Sequence, residues 1–499
     1  MSTLADALRV AAQDTPDRVL IVDGDIDVTA AALYRQAGAL ATEMSRRMPA
    51  GSVVSFMLPN WHEAAIVYLG ATMAGMVVNP ILPSLRDSEL QFILTDADVR
   101  MIFIPQQFRG FDYAAMLSRV TAAMSSPPEV VVVRGKHPGQ TPMPELLAAP
   151  PADPVDLDPA AVRMIMYTSG TTGRAKGVLH SHDSIHALIR QIGEHWRIDA
   201  GDTFLVPSPI AHIGGSIYAF ECPLLLGSVA VLMEKWEPDE AVALMQARRC
   251  THMAGATPFL VGLLGAAERA GSRLPDLKVF ICGGASVPPS LIRRATGYFE
   301  KAIVTRVYGS TEVPVSTVGS PEDADRAAHT DGHAGVADIT IVDGEIRVRG
   351  PQMLTGYLHD EDAVEAFDDE GYFRTGDLGH LTADGHLVVT GRAKDIIIRN
   401  GENISPKEVE DILIGHPGIA DIAVVGLPDP RTGERACAVV VASGPDVPDV
   451  GDLRDLLKTH GLATFKAPEQ VAVWDSLPKN DAGKVLKHQI RATLTKGLN

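Results

Sequence analysis

Short apolar runs that suit strands alternate with helix-period segments between residues 53 and 308, and no other feature of the chain constrains its fold as tightly. Residues 53–58 are expected to be extended, 62–74 helical, and 101–104 and 130–133 extended. After residue 167 the alternation resumes with a helix at 182–196, a strand at 204–206, a helix at 214–226, and strands at 229–233, 279–282 and 304–308. Parallel strands need long crossovers, and helices at this spacing supply them, so the pattern predicts an α/β fold with helices covering the sheets. At 499 residues the chain exceeds what one core organises, and two or three packed units are expected. A proline-rich stretch at 142–159 should be an exposed connection. From about residue 339, short strands with turns at Asp343-Gly344 and Asp384-Gly385 predict a small β unit that closes the large domain. Beyond 391–395 the pattern becomes a compact α+β one. It has an extended run at 396–399, a helix opened by Ser405-Pro406 and running to 414, extended runs at 420–426 and 436–441, and a helix at 452–460.

Charge and composition remove several classes of function. Lys and Arg number 44 against 62 Asp and Glu, a net charge of −18 that repels nucleic acid and anionic lipid surfaces. Any anionic substrate must be met by local basic groups. The most apolar region, 204–233, is interrupted by Pro207, Pro209, His212, Glu221 and Pro223, so buried core is expected there and no stable membrane insertion. The opening Met1-Ser2-Thr3-Leu4-Ala5-Asp6 has no basic flank before an apolar run, and Cys222, Cys250, Cys282 and Cys437 show no Cys-x-x-Cys spacing. Reduced, buried thiols in a cytoplasmic protein are the expectation.

The strand at 164–167 runs directly into Thr168-Ser169-Gly170-Thr171-Thr172-Gly173-Arg174-Ala175-Lys176-Gly177. Glycines let backbone N–H groups turn inward, the hydroxyls add donors that rotate to suit, and Lys176 supplies a cation, so the loop is suited to a polyphosphate. It is not the Walker pattern, because the glycines are Gly170 and Gly173 and a glycine follows the lysine. Taken alone, such composition also makes plain surface turns. Four further segments weigh against that reading: Tyr308-Gly309-Ser310-Thr311-Glu312, Tyr372-Phe373-Arg374-Thr375-Gly376-Asp377, Gly391-Arg392-Ala393-Lys394-Asp395 through Gly401-Glu402-Asn403, and Pro478-Lys479-Asn480-Asp481-Ala482-Gly483-Lys484.

In this order the five segments resemble the adenylate-forming superfamily, which includes acyl- and aryl-CoA synthetases, stand-alone adenylation domains and beetle luciferases. The resemblance spans most of the chain. It implies a large N-terminal domain, residues 1–393, and a small mobile C-terminal domain, residues 394–499, that carries the catalytic lysine. The implied substrates and cofactors are ATP, Mg²⁺, CoA and a small-molecule carboxylic acid, with a homodimer compatible with the sequence. Lys484 would bridge carboxylate and α-phosphate, where a fixed cation offsets the repulsion of two anions. Thr168, Ser169, Gly170, Thr171, Thr172, Gly173 and Lys176 would hold the phosphates, and Glu312 with Thr168 the Mg²⁺, whose preference is for oxygen ligands. Gly283, Gly284 and Ala285 would face adenine opposite Tyr308, with Gly309, Ser310 and Thr311 completing that wall. Ser286 follows where a proline is common, a change of loop stiffness more than of chemistry. Asp377 would accept both ribose hydroxyls and Arg392 make the second ribose or phosphate contact. Lys394 takes the hinge position, Gly401 the passage for the pantetheine arm, and His212 the gate at the acyl pocket. His180, His182 and His186 have metal-like spacing, but no thiol or carboxylate cluster joins them, and they are expected to flank the phosphate loop at a helix start.

Amino-acid-activating relatives place an acidic residue beside the gate, whereas Ile213, Gly214 and Gly215 follow His212 here. The expected pocket residues Ile213, Gly214, Ile217, Tyr218, Gly255, Ala256, Thr257 and Pro258 are mostly small or apolar, which favours an uncharged hydrophobic acid: medium-chain, aryl, or alicyclic such as cyclohexanecarboxylate. The rival readings are a stand-alone adenylation enzyme that loads a carrier protein, a luciferase-like oxygenase, and a non-catalytic nucleotide-binding relative.

Overall fold

The computed structural model describes residues 3–168, 174–284, 287–319, 323–480 and 483–496. An eight-stranded sheet carries, in spatial order, Gly356–Tyr357, Lys176–Ser181, Val162–Thr168, Val77–Pro80, Val53–Phe56, Val99–Pro105, Glu129–Val133 and Thr141–Pro142. A seven-stranded sheet carries Ile303–Val307, Val279–Gly283, His252–Gly255, Thr203–Val206, Val229–Leu232, Val19–Asp23 and Ile26–Thr29. Both are parallel through their centres, as the strand–helix alternation predicts, and antiparallel pairing is confined to one edge of each.

The helix His62–Met73 lies between these sheets. All its residues from Ala64 to Met73 are buried, so it has no polar stripe and is stable only with protein on every side. It shares one core with Val54, Phe56 and Phe103 of the first sheet and Phe204, Val206 and Leu232 of the second. The helix predicted at 214–226 is built in three pieces: Ile213–Ser216, a π-turn Ile217–Glu221, and Cys222–Leu225. Pro223 has no N–H to give, and it stands at the start of the last piece, just after the Cys222 N–H donates to the Ile217 carbonyl to close the wider turn. The stretch 142–159 is not a free connection. Met143 and Leu146 are buried in a helical turn, and the Ala152 N–H donates to the Gly38 carbonyl at 3.0 Å, docking it on the helix Ala30–Arg47.

The predicted small β unit is a four-stranded antiparallel sheet of Asp338–Val342, Glu345–Arg349, Phe373–Leu381 and Leu387–Arg392. After it the chain builds a second domain on the strands Glu402–Ile404, Ile397–Arg399, Gly433–Ala442 and Ile419–Asp429. Alternation along Ile419–Asp429 sends Val424 to one face, with Val409 and Leu453 from helices Pro406–Leu413 and Val450–Thr459. Val425 goes to the other face, with Ile490 from helix Lys487–Lys496. Both cores consist of residues from Ile397 onward, so this domain packs on itself. All four cysteines are buried free thiols, and burial pushes Cys250 and Cys282 up to about 12, leaving them unreactive. Among the described residues no helix is long and apolar enough to cross a membrane.

Candidate active site

The strand Val162–Thr168 turns back as Lys176–Ser181, and their ladder ends with Thr168 opposite Lys176. The turn between them, with Ser169, Gly170, Thr171, Thr172 and Gly173, lies outside the described residues, as does Ala285. Lys176 sits 3.5 Å from the Asp362 carboxylate, donates to the Asp362 carbonyl at 3.3 Å, and lies 5.3 Å from the centre of the Tyr357 ring. Arg174 donates to the same carboxylate at 2.9 Å. Asp362, which the sequence reading did not single out, therefore fixes both cations beside the end of the ladder at Thr168 and Lys176. The signal for it was the acidic run Asp360-Glu361-Asp362 shortly before the Tyr372–Asp377 motif.

Glu312 is half-buried, and the Tyr357 hydroxyl, 3.4 Å from one of its oxygens, makes only a long contact. The carboxylate keeps acceptor capacity, and its hard oxygen donors are of the kind that Mg²⁺ prefers. Gly309 must be glycine here, since a Cβ would stand 2.6 Å from the Val315 nitrogen. From the same loop the Tyr308 hydroxyl donates to Asp377 at 2.8 Å, and Arg392 Nε donates to the other Asp377 oxygen at 2.7 Å. Asp377 and Arg392 are cross-strand partners, so the pairing is set by sheet register. Burial, then the Asp377 charge, pushes the Tyr308 hydroxyl well above the usual phenol range, keeping it a donor. Gly283 lies flush against Val307, where a Cβ would meet the Val307 carbonyl oxygen at 2.6 Å. Gly284 adopts φ +81° beside open space.

Lys484 closes a hairpin in which its N–H donates to the Asn480 side chain at 2.8 Å and the Gly483 N–H to the Asn480 carbonyl at 2.8 Å. Gly483, at φ +80°, rests on the N-terminal domain: a Cβ there would meet Pro258 at 3.1 Å. Part of the Lys484 side chain is exposed, but its ammonium is crowded. Burial first, then Arg392 and Lys394 against the opposing pull of Asp377 and Asp395, lowers it to about 8. The structure thus brings Lys484, Arg392, Asp377 and Tyr308 into one neighbourhood and Lys176, Tyr357 and Glu312 into another, joined by the loop from Tyr308 to Glu312. Lys394 is exposed in the turn Ala393–Asp395. Gly401 stands at an exposed hairpin tip at φ +81° with nothing within 4 Å of a Cβ, so it does not join these groups here.

His212 precedes the short helix Ile213–Ser216 and is partly exposed. Gly214 beside it is exposed, with nothing within 4 Å of a Cβ, and Gly255, Thr257 and Pro258 are also partly exposed. Ile217 and Tyr218, expected on the pocket wall, are instead 2% and 5% exposed, and Tyr218 stacks on Phe204 at 4.9 Å between ring centres. The π-turn directs them into the core between the sheets. Of the three histidines near the loop, His180 is the last but one residue of its strand, and His182 and His186 lie on the helix His182–His195, as expected.

The AMP-binding enzyme family matches residues 8–358, and the AMP-binding enzyme C-terminal domain matches residues 408–484. The chain is 33% identical to the medium-chain fatty-acid–CoA ligase of Escherichia coli (strain K12), covering 100% of this chain and 91% of that one. It is 31% identical to a methyl-dioxo-octahydroindenyl-propanoyl:CoA ligase of Rhodococcus jostii (strain RHA1), covering 98% of each. Among solved structures, ATP-bound MatB from Rhodopseudomonas palustris superposes with a TM-score of 0.88 at 27% identity over 100% of both chains. Apo MatB superposes less closely, at 0.78 over the same coverage. With the matched regions covering most of its length and both domains in place, the chain belongs to the AMP-binding enzyme family, the adenylate-forming ligases that its motifs resemble.

Proposed function

We propose that this chain is an AMP-forming acyl-CoA synthetase for an uncharged hydrophobic acid, of medium chain length or with a ring such as cyclohexanecarboxylate. The observation that carries the reading is the lack of charge among the residues expected to line the acyl pocket with His212. Ile213, Gly255, Thr257 and Pro258 are partly exposed, Gly214 is exposed with nothing within 4 Å of a Cβ, and none carries a charge, so an ammonium or a second carboxylate on the acid has no partner among them. The two coenzyme A ligases similar over nearly the whole chain support the acceptor.

In the first half-reaction the acid's carboxylate oxygen attacks the α-phosphorus of ATP, the bond to the β-phosphate breaks, and pyrophosphate leaves. Lys484 holds the two anions together, Lys176 meets the departing phosphates, Asp377 and Arg392 orient the ribose, and Tyr308 with Gly283 and Gly284 borders adenine. Glu312 and Thr168 would hold Mg²⁺, which supplies neutralising charge on the phosphates. In the second half-reaction the CoA sulfur attacks the acyl carbon, its proton goes to solvent, and AMP leaves. The domain boundary falls after residue 393, and rotation about Lys394 exchanges the Lys484 hairpin for the Gly401 tip, with His212 gating the acyl pocket. Docking of Gly483 on Pro258 and the closer match to an ATP-bound relative support the arrangement for adenylation.

A competitive panel with ATP, Mg²⁺ and CoA tests this: ring or medium-chain acids are expected to exceed acetate and every amino acid in kcat/KM. Acetate or an amino acid in first place defeats the pocket reading, and transfer to a phosphopantetheine carrier in preference to CoA defeats the acceptor. A pH profile adds an independent check. With Lys484 at about 8 the adenylating charge is present below that pH, so kcat/KM for ATP–pyrophosphate exchange should fall as pH rises through about 8. Docking has the opposite sign. The docked loop binds fewer protons than a free lysine between about 8 and the ordinary lysine range, so docking strengthens with pH just where activity is lost. A flat alkaline limb, or one unchanged in Lys484→Arg, contradicts the assignment.

A further inference from the structure

Glu312 points its carboxylate from a loop, and loops hold direction only when their peptide groups are tied down. The peptide before its Cα presents the Thr311 carbonyl, which accepts from His180 Nε2 at 2.7 Å. The peptide after it presents the Glu312 carbonyl, which accepts from the Leu354 N–H at 2.7 Å. Both planes that set the Cα–Cβ direction of Glu312 are therefore pinned, one by backbone and one by a single side chain. His180 is fully buried in the strand Lys176–Ser181, the strand that also carries Lys176. Because a carbonyl can only accept, the proton must sit on Nε2, leaving Nδ1 as the acceptor that faces the Ser184 hydroxyl at 3.3 Å. Burial holds the imidazole down at about 4, so it is neutral and keeps this one tautomer. Ser184 in turn closes the capping box with Ser181 that starts the following helix.

We propose that His180 is a positioning residue for Glu312, setting the direction from which that carboxylate meets a divalent cation held with the nucleotide. The inference rests on the reading of Glu312 as the magnesium ligand. Outer partners that orient a ligand typically account for about 10- to 100-fold in metal affinity. A merely structural histidine would affect folding or all ligands alike.

The test is Mn²⁺ binding to the full-length enzyme with ATP, followed by electron paramagnetic resonance, alongside ATP binding without any divalent ion measured by calorimetry. His180→Leu is expected to weaken Mn²⁺ in the ATP complex by about 10- to 100-fold while leaving metal-free ATP binding unchanged. His180→Gln, whose amide can still donate to the Thr311 carbonyl, should restore most of the affinity. If His180→Leu does not fold, His180→Asn, polar but too short to reach that carbonyl, makes the same comparison. Wild-type Mn²⁺ affinity in the non-donating variant, or equal loss of metal-free ATP binding, overturns the proposal. Glu312→Gln separates the two claims. If it leaves Mn²⁺ affinity unchanged, the ligand reading itself falls; if it weakens Mn²⁺ and His180→Leu does not, only the role of His180 falls.

Discussion

Lys484→Ala is expected to slow ATP–pyrophosphate exchange by at least about 10²- to 10³-fold, the loss typical of removing one donor aimed at charge that develops in the transition state. The expectation comes from placement. The lysine stands beside Gly483, which is seated against Pro258, and its ammonium is close enough to Arg392 and Asp377 to be shifted by both. ATP binding should change little, because in the proposed reading Lys176 and the Tyr308–Asp377–Arg392 group meet other parts of the nucleotide. Transfer of pre-formed acyl-adenylate to CoA should also survive, since in the proposed reading that step uses the other presentation of the small domain. Near-normal exchange in the alanine variant would sink the assignment, and equal loss of both half-reactions would show that the hairpin serves folding instead.

The largest loss of stability is expected at Glu221. Arg163 and Glu221 are 1% and 0% exposed and meet at 2.7 Å, and the Tyr68 hydroxyl donates to the same Glu221 oxygen at 2.7 Å. Three elements are tied there: the strand that leads into the phosphate loop, the helix between the sheets, and the π-turn behind His212. Glu221→Ala leaves a guanidinium buried without a countercharge, which typically costs about 3–5 kcal/mol. Replacing the whole group with apolar residues of similar size removes the charge that needs a partner, and such exchanges are often neutral. The variant combining Arg163→Met, Glu221→Leu and Tyr68→Phe should therefore be more stable than Glu221→Ala alone. Urea unfolding followed by tryptophan fluorescence compares them. A loss under about 1 kcal/mol for the single variant, or no recovery in the triple, contradicts the account.

The same group shows where reading the sequence stops. Alternating runs implied parallel sheets because period and spacing are local properties, and Thr168, Tyr308 and Arg392 could be placed because each stands at or just after the end of a strand. Arg163 and Glu221, by contrast, are 58 residues apart, His180 and Thr311 are 131 apart, and Lys176 and Asp362 are 186 apart. Each pairing depends on which strand ends share an edge, and no local pattern carries that information. The π-turn was hidden for a related reason. One extra residue per turn leaves the apolar composition of 214–226 intact while rotating Ile217 and Tyr218 from the pocket into the core. Asp377 and Arg392 were each legible as motif residues, but their direct pairing follows from strand register.

The 3.1 Å approach of Pro258 to the place a Cβ would occupy at Gly483 would make one proline, with the acid bound as proposed, a party wall between the acid and the lysine. On the proposed reading it borders the acyl pocket on one side; on the other it seats the turn that ends in Lys484. An acid that shifts this proline by a few tenths of an ångström shifts the seat as well, and the cation reaches the reacting oxygens late or not at all. Choice among acids is then exercised in the timing of chemistry as much as in occupancy, so a poorly fitting acid fills the site and waits. Its kinetic mark is a preserved KM with a reduced kcat.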